Sequence, residues 1–498
     1  MLVTLDLLAA GGQADEGLVT SGMKLGSPTI PENVTGAMRE LNARMSKGIK
    51  PADNAVVHLV QLFGKGVLVE NLREPSLEML GIEALDPELP RLIYMRDFAK
   101  MKHPENEKSQ DKFIEKLAVE FHDAAAKPWK SKDYPILAEY FDVNKAQLDR
   151  VTRIADLPAY YAPLLSEDQP PSLMSPSFAI EYRLPYLSQC LAIRAMSRLT
   201  EGDFADATRD LIAGHKLALL LANGSPMDVS MAKAHWVDSN AFRGELEMLR
   251  SGLLTEAEAR EYAAILQALP PMPKSSVAAD VGERFIVRQE IELLRDNDDA
   301  MHGFFDWDAS LHLEDLSKLR AAKINWDLAI KRADEIQDET VNAMLLTDRE
   351  KQMREIDRLN QEATFWKESA ESDETKLNDA LMKDPEAASK WIGESVARSL
   401  KTNIWQRVHT DNRGSVRRDF MIVALALVAY QKAENEFPNQ LADLSPSILK
   451  TIPLDTHSNE MFGYQKLPNG KAQLTSWGAD RIANAGQWPS DDLVIELE

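Results

Sequence analysis

Between Asp296 and Asp315 the chain crowds together residues that could ligate a metal or move a proton: Asp296, Asp298, Asp299, His302, Asp306, Asp308, His312, Glu314 and Asp315. Carboxylates mixed with imidazoles suit a transition metal or an acid/base pair, with His302, Asp306, Asp308 and His312 as the natural set. A metal-assisted hydrolase is the enzyme that such a cluster would support. Their spacing matches no ligand template, however, and a calcium loop of the EF-hand kind does not fit. The plainer expectation is an acidic, solvated loop that opens a helix near Leu313.

Other catalytic patterns are missing from the sequence. It holds no G-x-S-x-G elbow, no H-E-x-x-H, no Walker loop and no G-x-G-x-x-G. Gly64-Lys65-Gly66 reads as a turn. The nine histidines are scattered, and His58, His215 and His235 sit in apolar helical runs, where a satisfied core histidine is expected. Cys190, the single cysteine, lies among Leu187, Leu191 and Ile193 and reads as a small buried hydrophobe. One cysteine excludes an internal disulfide framework and a cysteine-based zinc site.

Positioning these groups falls to helices. The 498 residues are 44% hydrophobic and 27% charged, ordinary values for a folded chain long enough for several domains. A net charge of −22 disfavours nucleic acid and anionic membrane as partners, and Arg413–Arg418 is the longest local basic patch. The opening Met1–Ala10 is apolar but carries Asp6 and no basic flank, so it makes a poor signal peptide. No run is long enough to span a bilayer, and Phe420–Tyr430 has the length of a buried core helix.

Along the chain, residues 1–30 read as a flexible lead-in and 31–160 as an N-terminal helical unit. Helices are expected at Val34–Met45, Ala55–Phe63 (capped by Asp53 or Asn54), Asp111–Ala126, Tyr134–Phe141 and Lys145–Ile154. The proline-rich Tyr160–Ser177 marks a boundary. Residues 177–410 form a central helical unit, with a helical hairpin over Leu187–Leu220 turning at Glu201-Gly202-Asp203-Phe204. That hairpin resembles a single tetratricopeptide-type unit, with no second copy at a fixed period. A further helix over Leu253–Leu269 opens on a capping box, Thr255 and Glu258, and ends at Pro270. Ile324–Trp366 reads as one long amphipathic helix.

Residues 411–498 are different, because several features agree. The apolar helix leads to Phe437-Pro438, then Leu441 and Leu444, then Pro453-Leu454-Asp455, Tyr464 and Ser476-Trp477-Gly478-Ala479-Asp480. In order and spacing this resembles the soluble domain of type II secretion pseudopilins. The resemblance implies a small α+β domain with an antiparallel sheet and a calcium loop, held by Asp480 and by Asp491 or Asp492 with Ser476 assisting. Arg481 stands where that family usually has Gly, and Arg417-Arg418-Asp419 precedes the helix without a prepilin cleavage motif, so entry into a pilus by that route is not expected. More widely, Pro51-Ala52-Asp53-Asn54-Ala55-Val56-Val57 and Leu191–Leu199 resemble uncharacterised planctomycetal proteins with a helical body and this tail.

The resulting expectation is a mainly α protein, with a tetratricopeptide-like hairpin body and a C-terminal α+β domain. Its role would be that of a non-catalytic scaffold or protein-interaction protein, with a cell-envelope or periplasmic setting favoured by the tail. Calcium is the one cofactor suggested, and a protein the expected partner. The alternatives are the hydrolase on 296–315 and a solute-binding protein, which would need a deep apolar pocket between helical units.

Overall fold

The computed structural model describes residues 22–32, 34, 36–296, 323–372, 384–400, 403–468, 470–478 and 492–498. The described chain is mostly helical, with a small C-terminal sheet. Helices α1 (Gly36–Ser46), α2 (Ala55–Phe63), α3 (Arg73–Leu80), α4 (Met95–Lys102), α5 (Glu107–Ala124), α6 (Pro135–Val143) and α7 (Lys145–Ile154) come first. The long helices α8 (Leu184–Glu201), α9 (Phe204–Gly224) and α10 (Asp228–Arg250) follow, then α11 (Glu256–Ala268) and α12 (Arg284–Asp296). After them come α13 (Trp326–Met344), α14 (Arg349–Ser372), α15 (Pro385–Ser399) and α16 (Ile404–Glu434).

Local sequence explains the ends of these elements. The Asn54 Oδ1 accepts the Val56 N–H at 3.1 Å and so caps α2. All nine residues of α2 are buried, as expected of a helix apolar on every side. α8 stops at Gly202, whose φ of 80° suits the left-handed cap that glycine adopts without steric cost. Asp203 then opens α9 by accepting the Asp206 N–H at 3.2 Å. The expected capping box is present at α11.

The expected hairpin is therefore α8–α9, and α10 folds back against both helices. Close approach is set by small residues: a Cβ on Gly244 of α10 would lie 2.6 Å from Leu211 and 3.3 Å from Ala192. Arg194 on α8 locks the layer. It donates to Asp210 of α9 at 2.9 and 2.6 Å and to Asp149 of α7 at 2.7 Å.

The apolar stretch of α16, Phe420–Ala429, is buried throughout, as its length suggested. Beyond α16, β3 (Gly463–Lys466), β4 (Ala472–Ser476) and β5 (Leu493–Leu497) form an antiparallel sheet in the order β3-β4-β5. Register pairs Tyr464 with Leu474 and Leu474 with Ile495. One apolar cluster runs from Met23 through α2, α8–α11 and α16 to Leu497 in β5. A smaller cluster joins α12, α13 and α15. Among the described residues, no helix is long and apolar enough to cross a membrane.

One expectation needs correction, and two segments show where they are anchored. The single long helix over Ile324–Trp366 is two helices, α13 and α14. The chain turns at Leu345–Asp348, where Asp348 Oδ1 accepts the Lys351 N–H at 3.0 Å and restarts the helix. The later part of the lead-in, residues 22–30, is held in place: Met23 is buried, and β1 (Lys24–Leu25) pairs with β2 (Ile82–Ala84). The proline-rich stretch is built into the core, because Leu164, Leu165 and Leu173 are buried and Asn42 and Asn54 bind its backbone. Polar side chains at two buried asparagines satisfy the peptide groups that regular structure would otherwise have paired.

Candidate functional site

The described residues that combine a cleft with clustered charge lie where α9, α10, α11 and α16 meet. α10 and α16 run parallel here. Successive pairs advance together along both helices: Asp228 with Arg407, His235 with Asp411, and Phe242 with Arg417. α9 brings His215 to the inner wall, and Arg417 and Arg418 of α16 line the other side with Phe242 and Leu266.

His215 is held at both ring nitrogens. Nδ1 donates to Asp238 Oδ1 at 2.7 Å and Nε2 to Glu245 Oε1 at 2.9 Å. A carboxylate can only accept, so both nitrogens carry protons and the ring is an imidazolium. Burial alone would lower its pKa, but Glu245 and Asp238 outweigh burial and push it up to about 10. The same ion pair holds the Asp238 carboxyl below its usual value despite burial. Tyr262 completes the cluster by donating its hydroxyl to Glu245 at 2.6 Å. A histidine fixed as a cation at neutral pH has no lone pair with which to take a proton, so His215 is a structural charge and not a general base. The expectation of a satisfied core histidine is met, with charge added.

Further charged ties surround this cluster. His235 Nε2 lies 3.2 Å from Asp411, which also accepts the Ser275 N–H at 2.8 Å and the Ser275 hydroxyl at 2.7 Å. Arg407 of α16 binds Glu283 within a π-helical turn that leads into α12. Glu181 is buried and accepts Ser230 at 2.8 Å and Lys233 at 3.3 Å. Burial pushes the Glu181 carboxyl up, offset by Lys233. Lys233 sits 3.7 Å from the Tyr182 ring centre and 4.2 Å from that of Phe178.

The cleft at His215 offers 40 Å³ of water-sized space, and a second beside Glu181 offers 20 Å³. At about 10–15 Å³ for each water, the first holds roughly three waters. Neither is the deep apolar pocket that a solute-binding protein would require.

His302, Asp306, Asp308 and His312 lie outside the described residues, as do Asp480 and Asp491. Of the acidic cluster, Asp296 is described; it is exposed and paired with Arg295 at 2.7 Å. Ser476 is buried at the end of β4, with its hydroxyl donating to Asp455 Oδ2 at 2.6 Å. Asp492 is half-buried immediately before β5. Ser476 is thus held by an acidic residue of the Pro-x-Asp turn that the sequence did not place beside it. Among the described residues, no group of three or more His, Cys, Asp and Glu is arranged to hold a metal.

The Arg417 cleft was not singled out as a site by sequence reasoning, although its signal was visible in the basic run Arg413–Arg418. The motif residues that carry the wider resemblance have structural work: Arg194 and Arg198 bind Asp210, and Asn54 binds the Tyr161 backbone. No protein-family model matches the chain, and neither a curated protein nor a solved structure matches it.

Proposed function

We propose that this protein is a helical scaffold that binds a protein partner through exposed aromatic side chains bordering the first half of α10. The observation that carries this reading is the exposure of Tyr182 at 63%, Trp236 at 58% and Trp405 at 41%. Tyr182 stacks on Lys233 of α10, Trp236 belongs to α10, and Trp405, in the first turn of α16, stacks on His409. Large aromatic residues are enriched where partners anchor and cost little side-chain entropy to fix. The net charge of −22 favours a partner with a basic surface.

On this reading α8–α9 is a tetratricopeptide-like hairpin and the tail is a pseudopilin-like brace. The resemblance of that tail supports an envelope setting. Calcium, where bound, would be held by Asp480, Asp491 and Asp492.

The test compares wild type with a Tyr182→Ala, Trp236→Ala, Trp405→Ala variant, each tagged in the native cells and crosslinked after envelope and cytosol are separated. The expected result is one stoichiometric partner with a basic surface, recovered from the envelope and reduced at least tenfold by the variant while its circular dichroism is unchanged. Equal recovery by the variant, or a free cytosolic monomer, would overturn the proposal.

A further inference from the structure

Several arginines in this acidic protein are bound to acids, Arg194 to Asp149 and Asp210, and Arg284 to Asp280, Asp334 and Asp338. Arg150, buried with no acceptor, is one exception, and the cleft at His215 holds others. Arg417, half-buried in its wall, lies 5.7 Å from the Phe242 ring centre, and its Nε is buried with no acceptor. Arg413, one turn earlier on α16, has the same buried, unanswered Nε. Among the described residues, neither forms an ion pair, and neither does the exposed Arg243 facing them from α10. Arg418, by contrast, is committed to the carbonyls of Leu269 and Pro270 at 3.2 and 3.1 Å.

Burial is the first cause of a lowered Arg417 pKa, and the like charges of Arg413 and Arg243 add to it. Together they bring Arg417 down to about 10, with Asp238 acting against them. That Asp238 carboxylate is already engaged by His215. The His215 imidazolium, Arg417 and Arg418 line the cleft against two carboxylates, Asp238 and Glu245, and Arg413 and Arg243 stand near Arg417, so positive charge is in excess. Guanidinium groups match oxyanions through parallel N–H donors, and a partly desolvated, unpaired cation gains most from such a ligand.

We infer that the cleft at Arg417 is a binding site for a phosphate group, gripped by Arg417 with Arg413 and Arg243 adding charge around it. Room for roughly three waters suits a small tetrahedral oxyanion. The phosphate could arrive as the free ion or be carried on a larger molecule; the chemistry of recognition is shared. This inference rests on the cleft and is independent of the scaffold proposal.

The experiment uses the full-length protein at constant ionic strength, with sodium chloride exchanged for inorganic phosphate. Phosphate is expected to raise the melting temperature above the chloride baseline, and Arg417→Gln to weaken the fitted affinity at least tenfold. Should that variant not fold, the wild type answers alone. Phenylglyoxal modification, followed peptide by peptide by mass spectrometry, should be slowed by phosphate at Arg417 and unchanged at the exposed Arg288. A phosphoserine peptide that protects Arg417 where free phosphate does not would assign the group to a larger ligand. The inference is overturned if neither phosphate nor the phosphopeptide protects Arg417, or if Arg417→Gln folds and responds to phosphate like wild type.

Discussion

Replacing His215 by Leu would strand two carboxylates, the fully buried Glu245 and the mostly buried Asp238, with no cation between them. Removing one partner from such a buried pair typically costs about 3–5 kcal/mol, and that is the loss expected for His215→Leu near pH 6. The pH dependence has a definite sign. The folded-state pKa is raised to about 10 from the ordinary value of 6.5, so the contribution is whole below about 6.5 and drains away as pH rises through 10. Denaturant unfolding of wild type and variant should therefore give a large difference at pH 6 and a much smaller one at pH 10. A difference that stays constant across that range would show that His215 is not held as a cation. Sequence disclosed that His215 was buried, because its neighbours are apolar. It could not disclose the charge, since Asp238 and Glu245 belong to a different helix.

At the scale of elements, the joins between helices are set by residues with no side chain. Gly393 lies inside α15, where Ala would ordinarily be better by about 1 kcal/mol in a helix interior. Here an added Cβ would sit 2.0 Å from the Ala329 carbonyl oxygen of α13, a backbone atom that cannot swing aside. Steric conflict outweighs propensity, and Gly393→Ala should destabilise by about 1–3 kcal/mol, the range for an overfilled core. A thermal melt decides it, since a melting temperature at or above wild type would mean that α13 and α15 are not packed this closely. Helix ends were the most readable part of the sequence: Asn54, Gly202 and Thr255 each terminate or start a helix by chemistry local to a few residues. The division of Ile324–Trp366 into α13 and α14 was less readable. Asp348 was present as a start signal, but the charged pattern on either side continued as one helix would.

Over the whole molecule, the α16 stretch from Phe420 to Ala429 shares one apolar cluster with α8–α11 and the C-terminal sheet. The tail and the hairpin body should accordingly lose structure together. Phe420→Ala removes a ring that is 0% exposed and is expected to cost about 3–5 kcal/mol. Hydrogen exchange followed by mass spectrometry should then show faster opening of α9 and of β4 by the same factor. Faster exchange confined to β4 and its neighbours would mean that the tail opens as a separate unit. The leucines of the proline-rich stretch before α8 belong to the same core that α2 and α7 build.

By itself, the sequence determined the helical class, the α8–α9 hairpin, the helix ends at Asn54, Gly202 and Thr255 and the burial of Phe420–Ala429. Each of these depends on neighbours within a few residues, or on a periodicity that a single segment displays. Only the tertiary structure decided that His215 is a clamped cation, that Ser476 meets Asp455, and that Arg413, Arg417 and Arg243 gather unpaired around one cleft. Those arrangements are electrostatic meetings between distant segments. Charge carries no periodic signature along a chain, so which charges meet is settled by packing.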